Sequence, residues 1–278
     1  MWTNANRARY DRSRLRYPSD LTDAEWAHVA PLVPPAKRGG NRRHVDEREV
    51  VNGLMYILST GCQWRAIPKD LPARSTLYDY FDLWNWDGTL RRIHEALYVK
   101  CREAAAREAS PTAAIIDSQS VKSAEKGGAC IDPAGYAAGK KINGKKRHIL
   151  VDTQGLLMHA IVHAADIQDR DGGATLMATL FGAFPFLARL FVDGGYQGPQ
   201  FKGAIRRTLA AVTVEIVKRS DAKTFVVLPK RWVGERTLAW LGRCRRLAKD
   251  WECLNRKALA FLYLASIRLM LRKLCNPT

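Results

Sequence analysis

The chain has 278 residues, 47% of them hydrophobic, which is enough for one large domain or for a small and a larger one. Lysine and arginine number 45 against 27 aspartates and glutamates, a formal net charge of +18. That balance points to a polyanionic partner, nucleic acid first and an anionic membrane surface a distant second. The most apolar late stretch, 258–267, is too short to span a bilayer and runs into Arg268, which argues against a membrane-spanning protein. Cys62, Cys101, Cys130, Cys244, Cys253 and Cys275 form no Cys-x-x-Cys pair, and no histidine stands at zinc-ligand spacing from them. They read as reduced thiols of a cytoplasmic protein, and no secretory signal is visible.

Residues 1–17 carry Arg7, Arg9, Arg12, Arg14 and Arg16 without apolar periodicity and read as a flexible basic arm. Residues 18–109 read as all-helical. Thr22 and Glu25 form a capping box that starts a first helix, which stops near Pro31. A basic loop, 37–44, follows. Val50, Val51, Leu54, Met55, Ile57 and Leu58 then make the apolar face of a second helix, which Gly61 stops. Ser75 or Thr76 is expected to cap a third helix through Trp84, and a fourth runs from about Thr89 to Glu108. Short helices of this kind suit a helix-turn-helix variant, with Arg74, Ser75, Thr76, Tyr78 and Asp79 opening a recognition helix. A plain helical packing domain fits the same pattern.

The pattern changes at Pro111. Thr112–Asp117 is strand-like, and 122–143 reads as a loop rich in Gly, Lys and Ala. Arg147–Thr153 and Leu156–Ala164 read as strands joined by a tight turn at Gln154-Gly155. Asp169 or Asp171 is expected to cap a helix. Leu187–Val192 is a further strand, Gln200–Leu209 a helix, and Val212–Lys218 and Thr224–Leu228 the last strands. From Glu235 to Leu274 the pattern is helical almost throughout. The expected fold class is α/β, a mixed sheet flanked by helices over 110–278, behind the helical region 18–109 and the arm 1–17.

Asp117 and Asp193 each end an apolar run, Ala-Ala-Ile-Ile-Asp and Leu-Phe-Val-Asp. Two such ends become neighbours when their strands are adjacent. Alone, each also reads as a turn former or cap. Together, in so basic a chain, they suggest carboxylates that hold divalent metal for phosphoryl transfer. The third acid has two candidates. Glu235 stands where the long helix begins beside the sheet, and Glu252 lies 17 residues further on, about 25 Å away along one continuous helix at roughly 1.5 Å per residue. Glu235 is favoured. Asp152, Asp166, Asp169 and Asp171 are rivals that look like turn and cap residues, Asp152 being the best spare. Lys145, Lys146, Arg147 and His148 precede a strand and read equally as a DNA-backbone contact or as a solvated charge run. Arg231, Arg236, Arg243, Arg245 and Arg246 line or flank the long helix and suit phosphate contacts. Trp232, Trp240 and Trp251 read as core.

With these residues in place, the chain resembles the DDE transposases of bacterial insertion sequences, specifically the group called IS-five. The resemblance rests on segments 117–122, 144–148, 166–172, 192–196 and 231–237 taken together, and it covers nearly the whole chain. It implies a ribonuclease-H-like catalytic domain with its triad, also the metal ligands, on Asp117, Asp193 and Glu235. It also implies Mg²⁺, with Mn²⁺ as a substitute. The partner would be double-stranded DNA, both transposon ends and target. The reaction would be cleavage at terminal inverted repeats and joining of the freed 3′-hydroxyls, by a dimer or higher oligomer. Of the Tyr-Arg-Glu-Lys signature found in the broader group, Arg231 and Glu235 fit the spacing. Leu228 stands at the tyrosine position and Gly242, next to Arg243, at the lysine position. The alternatives are a ribonuclease-H-like nuclease without strand transfer and a DNA-binding regulator with a decayed catalytic core.

Overall fold

In the N-terminal helical layer, α1 (Asp23–Val29) starts at the expected capping box, with the Thr22 side chain accepting from the Glu25 amide and Glu25 reaching back to the Thr22 amide. α2 (Glu47–Thr60) starts at Asp46 and ends where Gly61 turns left-handed at φ 69°. α3 (Arg74–Trp86) starts two or three residues earlier than the Ser/Thr reading expects, because Ala73 is the N-cap and no side chain caps it. α4 spans Thr89–Glu103 and stops short of Glu108. The structure is a computed structural model that describes residues 7, 10–36, 44–127, 130–180, 182–216 and 231–276, with backbone only at Arg231. The expected strand 224–228 and basic loop 37–43 lie outside the described residues.

The sheet has six strands: β1 (Ala113–Lys122), β2 (Gly135–Ala137), β3 (Ile142–Asp152), β4 (Leu157–Ala164), β5 (Arg189–Val192) and β6 (Thr213–Ile216). β4 and β2 share one side of β3, and β1 lies on its other side, all antiparallel. β5 and β6 continue beyond β1 in parallel. This is the mixed sheet the sequence pattern suggests. The stretch 122–143, expected as a loop, contains β2 and the start of β3. Gly155 makes the β3–β4 turn at φ 84°, a conformation glycine adopts without steric cost. α5 (Asp169–Ala178) follows β4, and its N-cap is Gln168 rather than an aspartate. α6 (Pro199–Thr208) follows β5.

The long C-terminal helix is broken. α7 (Arg231–Gly242) gives way to a short 3₁₀ turn at Arg245–Leu247, and α8 (Asn255–Cys275) begins only after an irregular stretch. α8 is buried on most sides, from Ala260 to Ile267 without interruption. It packs on β4 and on all four N-terminal helices. One hydrophobic core therefore runs from Val50 and Leu54 through Phe81 and Phe261 to Ile149 and Leu190. The arm is not wholly free either. Arg12 pairs with Glu25, Arg16 bonds Glu49 at 2.8 Å, and the Tyr17 hydroxyl donates to Asp70 at 2.8 Å.

Candidate active site

β1 carries Ala114, Ile115 and Ile116 into the core, and Asp117 follows them. Asp117 is not a strand end, because β1 continues to Lys122 along β3. What ends near it is the pairing with β5, whose last register pair is Ile115 with Phe191. Two residues beyond that pair on each strand stand Asp117 and Asp193. The pairing does not reach either residue: β1 runs on along β3, while Asp193 follows the last residue of β5 and caps the short 3₁₀ turn Gly194–Tyr196. Asp193 accepts a hydrogen bond from the Gly195 amide at 2.8 Å, and Asp117 from the Ser118 amide at 2.7 Å.

Helix α7 lies across this point. A Cβ on Gly234 would meet the Asp117 Cβ at 2.8 Å and its Oδ2 at 3.0 Å. Glycine lets the helix backbone rest on the carboxylate, and Glu235, the next residue, is exposed beside it. Among the described residues no group of three or more His, Cys, Asp or Glu side chains converges closely enough to hold a metal ion. The structure thus sets α7 against Asp117 and places Asp193 just past the end of the strand beside it, without closing all three acids into one group. At the strand pair the donors are hard carboxylate oxygens, the chemistry that Mg²⁺ or Mn²⁺ prefers, and that cation keeps waters for its remaining positions.

Below the pair lies a polar layer that sequence reasoning did not see. Asp169, on the first turn of α5, accepts from Ser118 Oγ at 3.0 Å and lies 2.9 Å from Lys146 Nζ. Burial raises its carboxyl, but the hydrogen bonds and charge of Lys146 and Ser118 outweigh this and hold it below the usual range. The Tyr196 ring is buried against Phe201 and His148. Burial and the charges of Asp169, Asp117 and Asp193 push its phenol well above the ordinary value, so it stays neutral. His148 and His163 stack with 2.8 Å between Nδ1 and Nε2, and burial drives His148 down to about 3. The signal for this layer lay in the segment 166–172, where the helix start hid Asp169 as a cap.

The expected DNA contacts divide. Arg74 and Ser75 are exposed at the start of α3, and Thr76 is half-buried. Arg243 is exposed just after α7. The side chain of Arg231 lies outside the described residues. Arg236 is half-buried between the rings of Trp232 and Trp240, at 4.3 and 4.5 Å from their centroids, and donates to the Gln154 carbonyl at 2.9 Å. Trp232 and Trp251 are 44% and 41% exposed, so neither is the core residue expected.

The run at Lys145, Lys146 and Arg147 needs correction. It lies inside β3 rather than before a strand, and all three are buried. Lys145 Nζ donates to the carbonyls of Asp132 and Pro133, each at 2.8 Å, and to Asn255. Arg147 donates to the Leu247 carbonyl at 2.7 Å, and burial pushes it down to about 10. These cations bind loop carbonyls, so they cannot grip a DNA backbone. Arg246 is likewise buried, bonded to Glu252 at 2.7 Å. With the long helix broken, the distance argument against Glu252 falls, but this pairing commits Glu252 to the fold. Asp152, the best spare carboxylate, is fully buried, pairs with Arg102 and caps the β3–β4 turn through the Gln154 and Leu156 amides.

A family model described as "Transposase DDE domain" matches residues 108–270, and one described as "Putative transposase of IS4/5 family" matches 21–94. Two relatives come from Burkholderia cepacia. "Insertion element IS402 uncharacterized 16.2 kDa protein" is 30% identical over 113 residues, 38% of this chain and 76% of that protein. "Putative transposase for insertion sequence element IS402" is 30% identical over 120 residues, 39% of this chain and 54% of that protein. No solved structure matches significantly. The mixed sheet behind a helical region is accordingly the ribonuclease-H-like arrangement of a DDE domain, and this chain belongs to the DDE transposase family, IS4/5 group.

Proposed function

We propose that this transposase binds the terminal inverted repeats of its element, cleaves at the ends and joins the 3′-hydroxyls to target DNA. The observation that supports the reading is that Asp117 and Asp193 each stand two residues beyond the last β1–β5 register pair, both near enough to the Tyr196 ring for their charges to act on its phenol. In this reading Asp117 and Asp193, with Glu235 from α7, would hold Mg²⁺, with Mn²⁺ as a substitute. The bound metal supplies positive charge against the phosphate's own, which otherwise repels a nucleophile. The chain's residues do the rest. Asp117 and Asp193 are oriented by the Ser118 and Gly195 amides. Gly234 brings α7, and with it Glu235, to the Asp117 carboxylate. Closing Glu235 onto the pair is a step for the DNA-bound state.

The helical region 18–109 serves DNA binding, with Arg74, Ser75 and Thr76 at the start of α3 facing DNA. Arg243, exposed just after the catalytic helix, reaches the phosphates nearest the cut. Joining two ends to one target calls for a dimer or higher oligomer on the double-stranded DNA. The working location is the cytoplasm; among the described residues no helix is long and apolar enough to cross a membrane.

The test uses a labelled duplex carrying the element's own end, a target plasmid and Mg²⁺, with wild type compared to Asp193→Asn. Joined products that vanish in the variant support the proposal. Cleavage without joining moves the protein to a nuclease without strand transfer. Binding with neither reaction moves it to a DNA-binding regulator.

A further inference from the structure

Asp169 bonds two neighbouring strands, β1 and β3, at once. Its Oδ1 accepts from Ser118 Oγ at 3.0 Å, and Ser118 is the residue after Asp117 on β1. The same oxygen lies 2.9 Å from Lys146 Nζ on the neighbouring strand β3. Lys146 is 6% exposed and also donates to the Ile167 carbonyl at 2.5 Å, so its ammonium is fixed from two directions. The other oxygen reaches the turn after Asp193. A Cβ on Gly195 would lie 3.5 Å from Asp169 Oδ2 and 3.0 Å from Asp193 Oδ1. The two carboxylates therefore border the same point over the Gly195 backbone, Asp193 tightly and Asp169 at ordinary contact distance.

We infer that Asp169, held by Ser118 and Lys146, is a positioning residue for the aspartate pair, tying the strand that carries Asp117 to the turn that follows Asp193. The inference rests on the reading of Asp117 and Asp193 as the metal-holding pair. A short carboxylate does this work well. One oxygen is locked by a hydroxyl and an ammonium, and the other presents negative charge to the Gly194–Gly195 backbone. That sets how far the turn, and Asp193 with it, stands from β1. Groups that orient metal ligands without touching the metal are worth about 10- to 100-fold in metal affinity or activity.

The experiment compares wild type, Asp169→Asn, Asp169→Ala and Ser118→Ala as full-length chains. Mn²⁺ binding is read by calorimetry, the Mg²⁺ midpoint and rate by cleavage of the end duplex, DNA affinity by titration, and folding by thermal denaturation. Asp169→Ala should weaken Mn²⁺ binding and slow cleavage by about 10- to 100-fold at unchanged DNA affinity. Asp169→Asn keeps one acceptor and should fall between it and wild type. Ser118→Ala should shift the Mg²⁺ midpoint in the same direction by a smaller factor. Wild-type Mn²⁺ binding in a folded Asp169→Ala protein overturns the inference. If Asp169→Ala fails to fold, wild-type Mn²⁺ binding and Mg²⁺ midpoint in Ser118→Ala overturn it instead. Asp117→Asn and Asp193→Asn are run alongside. Cleavage by both would remove the underlying reading, whereas their silence beside wild-type behaviour of the Asp169 and Ser118 variants would remove this inference alone.

Discussion

Gly234→Ala is the sharpest test of how helix α7 meets the sheet. The new methyl would sit 2.8 Å from Asp117 Cβ, 3.0 Å from its Oδ2 and 3.3 Å from its Cγ. Carbon atoms in contact prefer about 3.5–4.0 Å, so the helix or the carboxylate must yield by roughly 0.5–1 Å. Forcing a methyl into a packed contact costs about 1–3 kcal/mol. Alanine returns up to about 1 kcal/mol in helix propensity. The net loss of stability is therefore small, about 0–2 kcal/mol. Catalysis should suffer more, since a displacement of about 1 Å at reacting groups lowers rates on the order of 100-fold.

Gly242→Ala is the internal control. It lies on the same helix, and a Cβ there meets nothing within 4 Å. Thermal denaturation and single-turnover cleavage of an end duplex in Mg²⁺ should separate the two variants. Gly242→Ala is expected to match wild type in rate and to equal or exceed it in stability. Gly234→Ala is expected to melt only a few degrees lower while cleaving about 100-fold more slowly. A Gly234→Ala protein that cleaves within about twofold of wild type would show that this contact does not set the geometry of the reaction.

Glu235→Gln should abolish cleavage and, since Glu235 is exposed, cost less stability than a change at buried Glu252. Glu252→Gln should destabilise instead, because Arg246 would keep a buried charge without its 2.7 Å carboxylate partner; the opposite pattern in paired melting and cleavage assays would exchange the two roles. Arg74→Ala should lower the salt slope of duplex binding by about 0.9, while Lys145→Met should leave the slope unchanged and lower the melting temperature; filter binding between 50 and 200 mM salt tells them apart. Burial pushes His94 down to about 3 and His159 to about 4. Both are neutral in the fold, and the unfolded chain takes up their protons first as pH falls through about 6.5. Their stabilisation is complete above that pH and shrinks below it, by up to about 1.4 kcal/mol per pH unit for each, until the folded values are reached. Urea midpoints should therefore fall between pH 7 and pH 5, less so in His94→Gln, and a flat profile would contradict the burial of these rings.

Elements were legible where a local signal fixed them. The Thr22–Glu25 capping box, the Gly61 stop and the Gln154-Gly155 turn each satisfy their own backbone, so a few residues suffice to read them. Asp117 and Asp193 were legible as the first polar residues after apolar runs, although only the pairing of β1 with β5 brings those two runs together. Failures came where tertiary contacts decide. Helical spacing from 235 to 274 continues through a break that the Arg246–Glu252 pair and the Arg147 bond to the Leu247 carbonyl stabilise. Asp169 was hidden for the opposite reason. Its place at a helix start gives a complete local explanation, and its partners Ser118 and Lys146 lie 51 and 23 positions away.

The charge of the chain has two physical uses, and composition cannot separate them. Lys145, Arg147 and Arg246 each send donors to the carbonyls of irregular segments around the sheet and helices. A loop packed against a core has backbone groups that need partners, and a long cationic side chain brings several donors to them at once. Burying such a cation is tolerable because each is ringed by carbonyls or paired with a carboxylate. These residues still count toward the +18, yet their donors are taken up by the chain's own carbonyls. The cations free to meet DNA are others, among them Arg74 at the start of α3 and Arg243 and Arg245 beyond α7, all exposed. A basic segment therefore identifies a DNA-facing surface only after its carbonyl partners have been ruled out. By that criterion the start of α3 and the end of α7 remain candidates for the proposed DNA contacts, and the buried cations of β3 do not.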